Sequence, residues 1–105
     1  MKKRVLILGR LKERLEPALE AAREKVGSDA FDLIAGTNLD DVRAAFADGS
    51  IEMVIMGAGL TLDLRLKVVE HVFTVSEGTT VHMKDFASGP TGMIPFVVGV
   101  LESAG

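Results

Sequence analysis

The residues best suited to chemistry in this 105-residue chain gather just after four short apolar runs. Gly9-Arg10-Leu11-Lys12 follows residues 4–8, and Thr37-Asn38 follows residues 31–35. Gly57-Ala58-Gly59-Leu60-Thr61 follows residues 51–56, and residues 84–92 follow 79–83. Glycines let a backbone approach a ligand closely, and helix starts present free N–H groups that welcome an anion. Arg10 and Lys84 add positive charge. The candidate set for a small anionic or nucleotide-like ligand is therefore Arg10, Asn38, Gly57, Gly59, Thr61, Lys84 and Gly89. The same residue types are what turns and helix caps require in any α/β domain, so a purely structural role competes with the binding role.

Sharper chemistry finds little support. Gly9-Arg10-Leu11-Lys12 is not a dinucleotide fingerprint, and no GxxxxGK[ST] segment is present. Gly57-Ala58-Gly59 matches only the first half of GxGxxG, with Leu62 where the third glycine belongs. Gly36 and Thr37 stand where a ribose-binding acid would follow the second run. Ser76 and Ser88 lack the GxSxG context of a hydrolase nucleophile. Asp40 and Asp41 read as acids at a helix start, not as a catalytic dyad. His71 sits beside Glu70 on a helical rim and reads as solvated. His82 shares its strand facing with Thr80 and Lys84 and reads as a partly buried histidine, because no second histidine or carboxylate lies at a metal-ligand spacing. In an enzymatic version, His82 or Asp85 would move a proton. The chain has no cysteine, which excludes disulfides, thiolate metal sites and cysteine catalysis. No cofactor or metal is expected.

The elements that position these loops alternate regularly. Each β-branched apolar run is closed by a Gly or polar turn and followed by a helical period. Leu15, Ala18, Leu19, Ala22 and Val26 keep helical spacing, Pro17 marks either the regular helix start or a kink, and Gly27 is a C-terminal stop. Asn38 or Thr37 caps a short helix carrying Leu39, Val42 and Phe46. Thr61 caps a third helix, with Leu62, Leu66, Val69 and Phe73 in one row and Leu64, Val68, Val72 and Val75 in another. A last helix is expected over residues 91–103. Strands alternating with helices give a parallel sheet covered on both faces. The expectation is one domain over residues 1–105: a three-layer α/β/α fold with a four-stranded sheet in the order 2-1-3-4, a shortened flavodoxin-like arrangement. Its topological switch falls between strands one and three, where the loops at Gly9 and Gly57 meet.

Composition narrows the partners. Hydrophobic residues make up 48% and charged residues 26%, the balance of a globular domain. A net charge of −3, no Trp or Tyr, and five scattered Phe argue against a nucleic-acid surface. No apolar run approaches the ~18 residues a membrane span needs. The basic start Met1-Lys2-Lys3-Arg4 leads into an apolar run that breaks at Arg10, so it reads as a first strand and not a leader, and a cytoplasmic home is expected.

The order of elements resembles that of response-regulator receiver domains over roughly residues 3 to 102. Residues 51–60 are similar to the receiver's third strand and following turn, and Lys84-Asp85-Phe86 resembles its Lys-Pro-Phe segment, with Asp85 in place of the proline. The resemblance implies a phosphate-accepting aspartate at the position of Gly57 and a magnesium-binding acidic pair at Gly9 and Arg10. None of these acids is present, and the chain is one strand–helix unit shorter. The resemblance therefore implies a degenerate receiver that is not phosphorylated in the family's way and holds no metal.

Residues 93–101 read Met-Ile-Pro-Phe-Val-Val-Gly-Val-Leu, with no polar face until Glu102. One domain covers only one side of such a helix. The fourth strand is also a sheet edge in the expected order, and exposed edges invite pairing. Together these predict a homodimer through the fourth strand–helix unit, with Met93, Ile94, Phe96, Val97, Val100 and Leu101 at the interface. The sequence thus favours a non-enzymatic, receiver-like self-association module, with a binder of a small anionic ligand as the alternative.

Overall fold

The computed structural model describes residues 3–27, 30–57, 59–84 and 93–104, the last segment without the side chains of residues 93, 94 and 104. Eight elements alternate: β1 (Lys3–Leu8), α1 (Lys12–Val26), β2 (Phe31–Gly36), α2 (Leu39–Ala47), β3 (Met53–Met56), α3 (Leu62–Val75), β4 (Thr80–Met83) and α4 (Met93–Ala104). The four strands form one parallel sheet in the expected order β2-β1-β3-β4.

The central strand shows why the sheet is covered twice. Val5, Leu6 and Ile7 are 0% exposed and Leu8 is 1% exposed, so β1 is apolar on both of its faces. Val5 and Ile7 join Met53 and Ile55 of β3 in a core closed by α1 and α4. Leu6 and Leu8 join Val54 and Met56 in a second core closed by α2 and α3. The chain is therefore a three-layer α/β domain with flavodoxin-like strand order.

Local signals account for the helix ends. Gly27, at φ +84°, closes α1 and returns its N–H to the Arg23 carbonyl at 2.9 Å. Pro17 lies within α1 on an exposed position, so it neither starts nor ends the helix. At the opposite end of the sheet, Arg4 ties the turn after α2 by donating to the Ser50 carbonyl at 3.2 Å and the Ala45 carbonyl at 3.4 Å.

Helix α4 departs from its expected face, and α3 turns inwards a row that draws Val68 and Val72 from one of its two apolar rows. In α4, Val97 and Leu101 are 0% exposed and Val98 is 7% exposed, all in the core shared with α1. Val97 and Leu101, expected at a dimer interface, are thus covered within the single chain, because α4 touches both the sheet and α1. Phe96 and Val100 are half-buried beside that core. Pro95, Gly99 and Ser103 turn the opposite way, towards β4. The side chains of Met93 and Ile94 lie outside the described residues. In α3, the row facing the sheet is Arg65, Val68 and Val72. Leu62, Leu66 and Phe73 are 61%, 60% and 56% exposed.

Candidate functional site

The strand ends at the topological switch stay tightly in register. Gly9 donates its N–H to the Gly36 carbonyl at 3.1 Å, Gly57 to the Leu8 carbonyl at 2.9 Å, and Lys84 to the Met56 carbonyl at 2.9 Å. Two cationic side chains are buried at this edge: Arg65 and Lys84 are each 5% exposed. The Arg65 guanidinium donates through Nη2 to the Gly57 carbonyl at 2.8 Å. Arg10 is exposed, and its Cβ lies 3.1 Å from where a Cβ on Gly59 would stand. The loop after β3 therefore presses on the loop after β1, and a side chain at position 59 would push them apart. Gly89 lies outside the described residues.

Two candidates in the predicted set have structural work. Asn38 caps α2: its Oδ1 accepts from the Asp41 N–H at 2.8 Å, while the Asp41 carboxylate accepts from the Thr37 N–H at 2.8 Å. This reciprocal arrangement satisfies backbone donors at both sides of the helix start. Thr61 caps α3 through Oγ1, which accepts from the Leu64 N–H at 3.2 Å. Gly9 also has a packing reason. A Cβ there would meet Leu15 Cδ2 at 2.7 Å, so a larger residue would have to displace the buried Leu15 side chain of α1. Among the described residues, no cluster of three His, Asp or Glu is placed to hold a metal ion.

Arg65 was not among the candidates read from sequence. Its signal was present: three and seven residues before Val68 and Val72, it completes the sheet-facing row of α3. The near-continuous apolar residues of that helix concealed which row faced inwards.

The outer side of β4 is the second notable surface. Among the described residues β4 pairs with β3 alone. In β4, Thr80 and His82 align with Met53 and Ile55, and so face the α1–α4 side. His82 Nε2 and Thr80 Oγ1 are 3.0 Å apart, and His82 is half-buried. They floor a groove walled by Pro95, Phe96, Gly99 and Val100 of α4. On the other face, Met83 is 49% exposed. His71 of α3 meets Phe46 of α2 edge-on, with centroids 6.1 Å apart, which fixes the α2 side of the helix. Turning about 100° per residue, Leu62, Leu66 and Phe73 lie on the opposite flank, towards the outer edge of β4. No described helix is long and apolar enough to cross a membrane.

The fold and its loops define a class: a three-layer α/β domain with flavodoxin-like strand order. Comparisons with protein-family models, curated proteins and solved structures return no match.

Proposed function

We propose that the chain is a non-enzymatic, receiver-like self-association module acting through the outer side of its fourth strand. The observation that carries this reading is that Leu62, Leu66 and Phe73 of α3 and Met83 of β4 are all exposed, beside a strand edge that no described residue pairs. These four side chains leave on the order of 400 Å² of apolar surface in water, about the size of the largest patches on monomers and commonly functional. The receiver likeness rests on the sheet order and on Lys84, buried where that resemblance places its lysine. Two of the polar groups at the strand ends are committed to helix caps, which leaves the edge of β4 as the better supported working surface.

Light scattering of the chain, with Leu66→Glu beside it, tests the reading. A dimer for the parent chain and a monomer of unchanged melting temperature for the variant support it. A parent chain that is monomeric at its highest soluble concentration overturns it.

A second reading has one specific observation in its favour: Arg65 and Lys84 are both buried at the end of β3. Arg65 lies in the first turn of α3, and a cation at a helix N-terminus suits a small anion such as a phosphate group. Thermal shift with inorganic phosphate and nucleotides checks it, since a ligand at 100 times its Kd adds about 2.7 kcal/mol. No shift with any of them rejects it.

A further inference from the structure

Resting on the self-association reading, we infer that a second copy of the chain adds to the sheet edge to edge, β4 against β4 and antiparallel, about a two-fold axis at His82. The direction of the backbone groups sets the register. Thr80 and Lys84 send their N–H groups to β3, accepted by the Glu52 carbonyl at 3.2 Å and the Met56 carbonyl at 2.9 Å. Alternation then points the N–H and C=O groups of Val81 and Met83 away from β3, off the edge. Antiparallel pairing exchanges both bonds between facing residues. Setting Val81 against Met83 of the second copy, and Met83 against its Val81, uses every outward group of β4 and centres the axis on His82. A register centred on Val81 or Met83 would give β4 only one such pair within its own residues.

The layer below fits the same arrangement. Val68 and Val72 of α3 share a core with Val54, Met56 and Val81, and the right-handed crossover from β3 to β4 lays this helix over those two strands. Continuing the sheet puts the two copies of α3 two strand spacings apart, about 9.6 Å at ~4.8 Å each. That matches the 8–10 Å separation of packed helices. The facing flanks are the exposed rows of Leu62, Leu66 and Phe73, which would pack against one another across the axis. Their exposed area, on the order of 400 Å² per copy with Met83, supplies about half of the roughly 800 Å² per partner of a standard interface, and the strand edge adds to it.

The other face explains its own chemistry. There the two grooves merge over a floor of Thr80 and His82 from each copy. Polar side chains suit a floor that remains wet. The edge itself carries no Pro and no charged residue between Thr80 and Met83, so two of the usual guards against strand pairing are absent. A flavodoxin-like sheet of full length continues beyond its fourth strand with a fifth, and that is the place the second copy would take, in the antiparallel sense.

Because the chain has no cysteine, a single introduced thiol reads the register. The two residues at position 82 face each other as a non-hydrogen-bonded pair, with Cα atoms about 4.5 Å apart, inside the range a disulfide spans. The two residues at position 80 are offset by four residues, about 13 Å along the strand, beyond that range. Mild oxidation should convert His82→Cys to a covalent dimer and leave Thr80→Cys unlinked. Sedimentation of the unoxidised chain runs beside it, with His82→Lys and His82→Gln. Two facing lysines should weaken association at least tenfold, and glutamine should leave it within threefold. Equal linking at position 80, or a dimer that neither links at 82 nor weakens with His82→Lys, overturns the register but leaves self-association standing. A parent chain that sediments as a monomer overturns both.

Discussion

The Arg65 guanidinium holds the Gly57 carbonyl at 2.8 Å, joining the first turn of α3 to the end of β3. The side chain is 5% exposed, so this hydrogen bond is made in a region where an unpaired polar group is costly. Replacing Arg65 by Met removes the donor and leaves the carbonyl to be satisfied otherwise. Loss of a hydrogen bond to a charged group predicts a destabilisation of about 2 kcal/mol in urea unfolding. Arg65→Lys should recover only part of it, because an ammonium lacks the planar fork. A fully stable Met variant would show that the contact contributes nothing.

Gly9 and Leu15 form a second test. A methyl group at position 9 would stand 2.7 Å from Leu15 Cδ2. Gly9→Ala should destabilise the chain by about 1–3 kcal/mol through overpacking. The double variant Gly9→Ala with Leu15→Ala should cost less than the sum of the two single changes, since the second removes the atoms that clash with the first. Additive costs in a denaturation series would deny the close approach.

Helix α4 offers a prediction that separates core from interface. Leu101 is 0% exposed and packs with α1. Leu101→Ala should lower stability by about 2–5 kcal/mol, as expected of a buried leucine, while leaving the association constant unchanged. Denaturation and sedimentation of the same variant read the two effects separately.

The capping residues should act on stability alone. Asn38→Ala and Thr61→Ala each remove an acceptor from a helix start, at 2.8 and 3.2 Å respectively. Each should cost about 1 kcal/mol in thermal unfolding. A cost near zero would mean that neighbouring groups already satisfy those amides.

The strand order and the two-sided core were legible because they rest on robust signals. Short β-branched runs alternating with helical periods admit few parallel sheets, and residues 5–8 are apolar without interruption. The cap at Thr61 was legible for a similar reason, and that of α2 was narrowed to Asn38 or Thr37, since a hydroxyl or amide just before an apolar period is what a helix start requires. Helix phase was harder. In α3, apolar residues occupy positions 62, 64, 66, 68, 69, 72, 73 and 75, so no single row stands out, and the inward row includes Arg65. In α4, the sequence showed an apolar excess without showing that α1 would absorb Val97, Val98 and Leu101. Which flank remains exposed depends on where neighbouring helices sit, and that is set by the assembled sheet, not by local pattern.

The most direct measurement of the central claim is amide hydrogen exchange at Val81 and Met83 as a function of protein concentration. Their N–H groups point off the outer edge of β4, where no described strand pairs with them and a partner strand would shield them. Self-association through this edge predicts slow exchange in concentrated solution that becomes fast on dilution, with the amides of Leu6 and Ile7 unaffected. Fast exchange at Val81 and Met83 at every concentration would contradict it.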